Sequence, residues 1–358
     1  MNNPHGGDLT TYEMQYKRKP LDFSASLNPL GMPEAVQQAA LDAVLDSYAY
    51  PDPYARKLTE ALATKLEVEQ SHLLLGNGSA DLIYRYAQAA RPQKALLPAP
   101  SFAEYEQALT AVSTEIEYYT LRCEDSFDVD DSILQYITND LDVVFLCQPN
   151  NPTGRLVATG VLDKLLEKCS ETNTLLFLDE CFVPFVADAG EVSRIGNITQ
   201  FDKLFILGSF TKLYGMAGIR LGYALCSNAT LLEKMRCCGQ PWAVSTVAQA
   251  AGLAALDQDS YVQKSLTLLA RENEWLTVAL TELGMSVIGN AANYLFFVSQ
   301  DTQLSRKLAE CGIMIRDCSN YHGLGQGYYR IAVRQRDDNE QLINTLHEIV
   351  QQGEGGNA

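Results

Sequence analysis

Short apolar runs alternate with amphipathic stretches through the first two thirds of the chain. The runs are apolar at nearly every position and cover residues 95–97, 142–147, 175–178, 204–207 and 223–226. Apolar residues recur with helical spacing in residues 34–45, 56–66, 81–90, 102–111 and 159–169. Strands that are apolar on both faces and alternate with helices are typical of a mostly parallel sheet covered on both sides. The pattern therefore predicts an α/β fold for this part of the chain.

The last third of the chain has a different pattern. Residues 245–283 have helical periodicity with one break near residues 257–260. The pattern then predicts strands at residues 294–298, 313–316 and 329–333, and helices at residues 303–311 and 339–350. This mixture indicates a small α+β domain. We expect an N-terminal segment (1–40) that packs with the small domain, a large domain (41–245), and a small C-terminal domain (246–358) that a long helix enters.

Composition limits the class of protein. The 358 residues are 47% hydrophobic and 20% charged, which is enough for one large domain or two. The formal net charge of −17 argues against a nucleic-acid partner, because such proteins normally present a basic surface. Nine scattered cysteines, an odd number without C-x-x-C spacing, indicate reduced thiols rather than a disulfide framework or a metal site. No apolar run suits a signal peptide or a membrane span, so we expect a cytoplasmic protein without a membrane partner.

The stretch LFILGSFTKLYGMAGIRLGY, residues 204–223, carries the strongest chemical signal. Lys212 follows an apolar strand, with Ser209 before it and Arg220 after it. A lysine amine in a desolvated, cationic setting can form a Schiff base with an aldehyde. Ser209 and Arg220 would hold a phosphate dianion, the arginine through its bidentate fork. An isolated motif of this kind is more often a surface lysine after a strand, so the interpretation depends on the rest of the chain.

Polar residues follow other predicted strands in the same way. In the turn Gly-Asn-Gly-Ser, the backbone amides of Gly78, Ser79 and Ala80 would face an anion at a helix N-terminus, although a plain strand-to-helix turn is the other interpretation. Asn151 lies in the rigid turn QPNNPTG, and Asp179 ends a strand. The alternative interpretation of Asn151 is a residue that forms a turn, and that of Asp179 is a helix cap. Because ligands collect at the carboxyl ends of parallel strands, we expect these residues and the lysine to lie together.

Six motifs come in a fixed order along the chain: GNGS, PSFAEY, QPNNPTG, LDE, SFTKLYGMAGIRLGY and YYRIAVR. In sequence and order they resemble the fold-type I, class I aminotransferase-like enzymes that use pyridoxal 5′-phosphate. The resemblance covers nearly the whole chain. It implies a large domain with a mostly parallel seven-stranded sheet between helices, a small α+β domain, and pyridoxal 5′-phosphate as the cofactor.

The resemblance implies roles for the residues at the strand ends. Lys212 would carry the cofactor covalently, and Asp179 would keep its pyridine nitrogen protonated. Asn151 would donate to the ring's phenolic oxygen. Phe102 would stack on the ring, with ordinary core packing as the alternative. The cofactor's phosphate would be held by Gly78, Ser79, Ala80, Ser209 and Arg220.

Three further positions bear on the reaction. Tyr50 matches a tyrosine that in this family reaches the phosphate from the other subunit, which implies a homodimer with shared active sites. Arg330 matches the arginine that pairs with the substrate α-carboxylate; its alternative is a surface charge on an edge strand. Phe182 stands where many relatives have a tyrosine whose hydroxyl also contacts the ring oxygen. This departure argues against an ordinary aminotransferase.

Three segments narrow the substrate class. The letters HGG near the N-terminus, the segment DFSASLNPLGMP and the segment IRDCSNYHGL resemble the branch of the family that decarboxylates L-threonine O-3-phosphate. That branch makes (R)-1-amino-2-propanol O-2-phosphate for cobalamin biosynthesis. His5 and Arg316 are the candidates for binding the substrate phosphate, with Asn28 as a polar neighbour and Asn151 as a further contact. The density of proline and glycine in the second segment predicts irregular backbone.

Two alternatives remain open at this point. One is an aminotransferase for histidinol phosphate or another phosphorylated amino acid, which shares most cofactor motifs. The other is an inactive relative that binds the cofactor as a regulator, against which the retention of Lys212, Asp179, Arg220 and Arg330 argues. Decarboxylation and transamination use nearly the same residues, so the sequence predicts the cofactor chemistry better than its outcome.

Overall fold

The structure, a computed structural model, describes residues 5–355 of the chain. Its strands, in chain order, are β1 (Leu21–Asp22), β2 (Leu73–Gly76), β3 (Lys94–Ala99), β4 (Glu115–Thr120), β5 (Val143–Cys147), β6 (Leu175–Asp179), β7 (Leu204–Ser209), β8 (Gly222–Cys226), β9 (Ser286–Gly289), β10 (Tyr294–Val298), β11 (Ile313–Met314), β12 (Arg316–Asp317) and β13 (Tyr328–Ala332). Its α-helices are α1 (Leu9–Tyr16), α2 (Glu34–Leu45), α3 (Arg56–Leu66), α4 (Ser79–Ala90), α5 (Ala103–Thr110), α6 (Thr159–Thr172), α7 (Ala189–Val192), α8 (Ala229–Cys238), α9 (Thr246–Leu256), α10 (Asp259–Glu282), α11 (Leu304–Glu310) and α12 (Arg336–Gly355).

A seven-stranded sheet holds the strands of the first two thirds of the chain. Its order is β2-β8-β7-β6-β5-β3-β4, and only β8 runs antiparallel to its neighbours. The predicted apolar runs form its central strands, which are buried at nearly every position. Burial on both faces explains why these strands are apolar throughout. The predicted fold class, with a mostly parallel seven-stranded sheet, is confirmed.

Aromatic rings and helices cover this sheet. Phe145, Phe177 and Phe205 of three adjacent strands stack with ring centroids 4.3 and 4.6 Å apart. Tyr86 of α4 packs edge-on against Phe177 at 5.1 Å on the same face. The opposite face packs against α6 through residues such as Leu165. Because both faces are buried, the strand ends are the place where polar side chains can reach a ligand.

A smaller, antiparallel sheet is built from the last third of the chain, in the order β12-β13-β10-β9. The single strand predicted at residues 313–316 is wrong, because β11 and β12 divide this stretch between two sheets. Within residues 5–355, β11 pairs only with β1, a strand from the N-terminal segment, and Ile315 lies between β11 and β12. Pairing with so distant a segment leaves no local pattern in the sequence.

The N-terminal segment is tied to the small sheet. β1 pairs in parallel with β11, and the amide of Ala332 donates to the carbonyl oxygen of Phe23 at 2.8 Å. Helix α1, which the sequence pattern did not predict, is fixed by the Tyr12 hydroxyl, which donates to the carbonyl oxygen of Ala309 at 2.6 Å. The backbone after β1 is irregular, as its proline and glycine content predicts.

The predicted break in the long helical stretch is confirmed, because α9 ends at Leu256 and α10 begins at Asp259. Helices α2 and α3 have the predicted bounds. In the part of the chain that the structure describes, every helix is too short or too polar to cross a membrane.

Candidate active site

Three adjacent parallel strands bring polar residues to one edge of the large sheet. β5 ends just before the turn with Asn151, β6 ends at Asp179, and β7 ends at Ser209, shortly before Lys212. Ser209 Oγ lies 2.7 Å from Thr211 Oγ1, so the two hydroxyls form a polar pair beside the lysine. Since parallel strands point the same way, these ends meet at the same edge.

Asp179 is a buried carboxylate, with 5% of its surface exposed. Its Oδ2 accepts from the Tyr105 hydroxyl at 2.6 Å, and its Oδ1 accepts from the amide of Cys181 at 2.9 Å. Within residues 5–355 it has no ion-pair partner. Burial, followed by the charge of Asp179, raises the pKa of Tyr105, so its hydroxyl remains a donor. A buried carboxylate without a protein cation suits the protonated nitrogen of a ligand.

Lys212 is held over an aromatic ring. Its Nζ lies 4.6 Å from the centroid of Phe182, and that ring packs edge-on against Tyr294 at 5.0 Å. Its carbonyl oxygen accepts from the amide of Asn28 at 3.0 Å. In the described chain, Nζ has no hydrogen-bond or ion-pair partner. An amine over a ring face, without a competing partner, is available to a ligand carbonyl.

Two buried thiols near the lysine are kept neutral. Burial raises the pKa of Cys147 to about 12, with the charge of Asp179 as the next cause, and burial likewise raises the pKa of Cys181. All nine cysteines are free. Because the thiolate is the reactive form of cysteine, these two thiols are unreactive at neutral pH.

The turn before α4 faces Arg220 across a narrow gap. Gly78, with a φ of +84°, precedes the first residue of the helix, Ser79. A Cβ at Gly78 would lie 2.3 Å from Arg220 Nη2, and a Cβ at Gly222 would lie 2.5 Å from the amide nitrogen of Ser79. The glycines therefore allow the Arg220 guanidinium and strand β8 to approach the start of α4 closely. Amides at a helix N-terminus beside an arginine suit a phosphate group.

Arg330 is a buried arginine on β13, with 6% exposure. Its Nη1 donates to Asn151 Oδ1, and its Nη2 donates to the carbonyl oxygen of Ser24 at 3.0 Å. Its Nε is buried without a hydrogen-bond partner in residues 5–355. The bond to Arg330 leaves Asn151 with its Nδ2 group as a donor. A buried guanidinium with an unsatisfied donor suits a carboxylate ligand.

Arg316 lies directly opposite Arg330 in the register of β12 and β13. It is also buried, its Nη2 donates to Asn320 Oδ1 at 2.7 Å, and its guanidinium lies 5.1 Å from the Tyr321 ring. Side chains opposite each other on antiparallel strands are close neighbours, and like charges there destabilise the sheet. Two buried arginines in this position therefore indicate a site for two anionic groups.

His5 lies beside Phe102, with ring centroids 5.7 Å apart. Its Nε2 lies 2.7 Å from Glu104 Oε1, and this hydrogen bond is the largest cause that lowers the pKa of Glu104. The sequence analysis did not single out Glu104. The structure thus places His5 next to the predicted stacking ring, in contact with a carboxylate.

Two predicted residues have other surroundings. Asn28 is buried, and its Nδ2 donates to the carbonyl oxygen of Leu213 at 2.8 Å and to Ser265 Oγ at 2.7 Å. Its side chain therefore supports the backbone next to the lysine. Tyr50 is 79% exposed and stacks on Trp242 with ring centroids 4.3 Å apart. It lies on the surface of the chain.

Known proteins resemble this chain over nearly its whole length. The family model described as aminotransferase class I and II matches residues 18–346. A threonine-phosphate decarboxylase of Salmonella typhimurium is 36% identical over 355 residues, which cover 98% of this chain and 97% of that protein.

Two solved structures are similar in fold. L-threonine-O-3-phosphate decarboxylase from Porphyromonas gingivalis has a TM-score of 0.82 and 28% identity, covering 92% of this chain and 99% of that one. Histidinol-phosphate aminotransferase from Clostridium acetobutylicum has a TM-score of 0.87 and 26% identity, with the same coverage.

Proposed function

The chain belongs to the aminotransferase class I and II family, and we propose that it decarboxylates L-threonine O-3-phosphate with pyridoxal 5′-phosphate as cofactor. The product would be (R)-1-amino-2-propanol O-2-phosphate. The observation that carries the proposal is the pair of buried arginines, Arg330 and Arg316, opposite each other on neighbouring strands. An amino acid with both a carboxylate and a phosphate offers one anionic group to each arginine.

The residues at the strand ends fit the cofactor. Its phosphate would bind the amides at the start of α4 together with Ser209 and Arg220, whose guanidinium packs against Gly78. Asp179, held by two donors, would meet its protonated ring nitrogen, and Lys212 would meet its aldehyde. When bound, the cofactor supplies an electron sink for the electron pair that departing CO₂ leaves on the substrate Cα.

The chain's own residues would decide which bond at Cα breaks. Arg330 would hold the carboxylate and Arg316 the phosphate, so that the substrate is fixed at two ends. Fixing both ends sets the orientation of the carboxylate relative to the cofactor ring, and only a bond perpendicular to that ring is labilised. The amine of Lys212 would deliver a proton to Cα in place of the carboxylate, which retains the substrate amine.

The second candidate is an aminotransferase for histidinol phosphate. The observation that favours it is the likeness to the Clostridium acetobutylicum structure, whose TM-score is higher than that of the decarboxylase from Porphyromonas gingivalis. The 36% identity to the Salmonella typhimurium decarboxylase supports the first candidate. Phe182 lacks the hydroxyl that many aminotransferases have at this position, and this also supports the decarboxylase.

We also propose that two copies of the chain form a homodimer with shared active sites. One side of α2 and the segment after it expose large apolar side chains, namely Leu41, Val44, Leu45, Tyr48 and Tyr50. A contiguous exposed apolar surface favours a protein–protein interface. Tyr50 would then reach the cofactor phosphate of the partner copy. A cytoplasmic location and a place in cobalamin biosynthesis are proposed on the resemblance to the decarboxylases.

The test is to incubate the cofactor-loaded protein with L-threonine O-3-phosphate in the absence of any keto acid. We expect many equivalents of CO₂ per active site and a phosphorylated amino alcohol as product. Lys212→Ala should show no catalytic release of CO₂, because it lacks both the attachment point for the cofactor and the proton donor that completes each turnover.

A different result would identify the alternative. If no CO₂ appears and the visible absorbance changes once, to that of the amine form of the cofactor, the protein is an aminotransferase. Histidinol phosphate with 2-oxoglutarate is then the substrate pair to test, with keto-acid-dependent turnover as the readout.

A further inference from the structure

A cavity beside Arg316 contains residues to which the proposed function gives no role. It lies between the end of β3, the start of α5 and the loop that joins β12 to β13. Phe102 and Arg316 both line it, so it connects the predicted stacking ring with the predicted phosphate-binding arginine. The polar residues that also line it are Ser101, Tyr105, Glu106, Tyr118, Asn320, Tyr321 and His322.

His322 forms part of the wall of this cavity in a fixed orientation. Its ring stacks on Tyr118, with centroids 3.9 Å apart and an interplanar angle of 13°. Its side chain is exposed, and neither ring nitrogen has a hydrogen-bond partner in the described chain. The stack therefore sets the plane of the imidazole and leaves its nitrogens to a ligand.

Tyr118 and Glu106 both line the cavity, and Glu106 is the only carboxylate among the described residues that do so. Burial, followed by the charge of Glu106, raises the pKa of Tyr118 to about 12, so its hydroxyl stays protonated.

The loop that carries His322 is bonded to Arg316 on one side of that residue and lies against the end of β3 on the other. On one side, Asn320 Oδ1 accepts from Arg316 Nη2 at 2.7 Å. On the other side, Gly323 has a φ of +83°, and a Cβ there would lie 3.4 Å from the carbonyl oxygen of Ala99. The loop thus spans from the small sheet to the end of β3, and a buried arginine and an exposed imidazole line the same cavity.

We propose that His322 binds the substrate phosphate together with Arg316, and that Tyr118 is the positioning residue that fixes its ring. The proposal rests on the proposed function and names a residue that distinguishes phosphorylated from unphosphorylated amino acids. A phosphate has three acceptor oxygens, of which an arginine fork takes two. His322 would donate to the third. His5, whose Nε2 contacts Glu104, is not among the described residues that line this cavity.

The experiment compares three variants of the cofactor-loaded enzyme with L-threonine O-3-phosphate. His322→Phe keeps an aromatic ring to stack on Tyr118 but removes both nitrogens. We expect its KM to rise about 10-fold with kcat within a factor of two, because one hydrogen bond to a charged group is lost. Inorganic phosphate, used as a competitive inhibitor, should show a matching rise in its inhibition constant. His347→Ala, an exposed histidine on α12, is the matched control and should leave both constants unchanged.

Glu106→Gln should change the KM in the opposite direction from His322→Phe. The amide has nearly the same size as the carboxylate, while a negative charge in the wall of the cavity is removed. We expect the KM for the phosphorylated substrate to fall about 2- to 3-fold, since a screened like charge near the dianion is lost. Inhibition by unphosphorylated L-threonine should be unaffected by either variant.

The outcomes separate this proposal from the proposed function. If the wild-type enzyme neither decarboxylates nor transaminates a phosphorylated amine, the proposed function fails. If it does react but His322→Phe has the wild-type KM and phosphate inhibition constant, the role of His322 is refuted. A KM for Glu106→Gln that is unchanged or higher also contradicts a phosphate in this cavity.

Discussion

At the scale of single residues, the site is defined by charged groups that the chain buries without pairing them in the ordinary way. Asp179 is held by a hydroxyl and an amide, and Arg330 by an amide oxygen and a carbonyl oxygen. Burying a charge without an opposite charge is costly. The fold bears that cost at Asp179 and Arg330, where ligand groups of opposite charge would offset it.

Phe182 contacts the amine of Lys212 through its ring face. Its ring lies 4.6 Å from Lys212 Nζ, a distance at which an ammonium gains about 0.5–2 kcal/mol from the ring face. We predict that Phe182→Leu lowers kcat about 3- to 30-fold with little change in KM, because the lysine is less well held for proton delivery. Steady-state kinetics on the loaded enzyme measure both constants.

The matched control is Phe185→Leu. Phe185 is also buried, and its ring lies 6.4 Å from that of Phe182. This variant should lose stability through core packing but keep kcat. Equal losses of kcat in the two variants would show that the lysine contact has no catalytic effect.

The sequence predicted some site residues and missed others for a physical reason. Asn151, Asp179 and Lys212 follow apolar strands, and parallel strands must end at one edge, so their meeting was predictable. Tyr105 and Tyr118 reach the site from a helix and from an edge strand. No local pattern marks them, because their contacts depend on how those elements pack in the fold.

At the scale of elements, too, the sequence predicted what a local pattern marks and missed what depends on packing. The central strands are buried on both faces, and their apolar runs were predicted nearly to the residue. β4, with the sequence EIEYYT, is a partly exposed edge strand. Because several of its residues are polar, the apolar pattern did not predict it. Helix α1 has no strong apolar side and was also missed. Elements whose stability depends on one neighbour leave a weaker pattern than elements buried on two sides.

Glu180 fixes the segment around α7 to the end of β6. Its Oε2 accepts from Ser193 Oγ at 2.6 Å, and its Oε1 accepts from the amide of Arg194 at 2.7 Å. Burial raises the pKa of this carboxyl from 4.5 to about 7, although both hydrogen bonds oppose the shift. Between these two pH values the folded chain binds a proton that the unfolded chain has lost. Stability from this group is therefore full below pH 4.5 and is lost as the pH rises through about 7.

We predict that Glu180→Gln removes this pH dependence. The free energy of unfolding of the variant, relative to the wild type, should increase between pH 4.5 and 7 by an amount on the order of 1–3 kcal/mol. Chemical denaturation at several pH values in this range measures it. Glu171→Gln, an exposed residue on α6, is the control and should follow the wild-type curve. Parallel curves for wild type and Glu180→Gln would rule out the buried carboxyl as the source.

At the scale of the whole molecule, the N-terminal segment links the small sheet to the lysine. β1 pairs with β11, Ser24 accepts a hydrogen bond from Arg330, and the amide of Asn28 donates to the carbonyl oxygen of Lys212. Arg330 and the lysine loop are therefore connected through one segment of chain. If Arg330 and Arg316 bind the substrate as proposed, a displacement of the small sheet relative to the large one would move both arginines together.

The last prediction concerns the second copy of the chain. Tyr50 is 79% exposed. If it completes the partner's site, each active site contains Lys212 from one chain and Tyr50 from the other. Tyr50→Ala then damages the site of the partner chain, whereas Lys212→Ala damages the site of its own chain. A mixed dimer then has one site with both residues intact. Random mixing of the two variants makes half of the dimers mixed, so about a quarter of the wild-type activity should appear. Mixing Lys212→Ala with Arg330→Ala is the control, because both residues lie in the same chain's site and no intact site results. If the mixture of Tyr50→Ala and Lys212→Ala is no more active than the sum of the two separate variants, Tyr50 does not act across a dimer. If activity is recovered in this mixture but not in the control mixture, Tyr50 completes the partner's site.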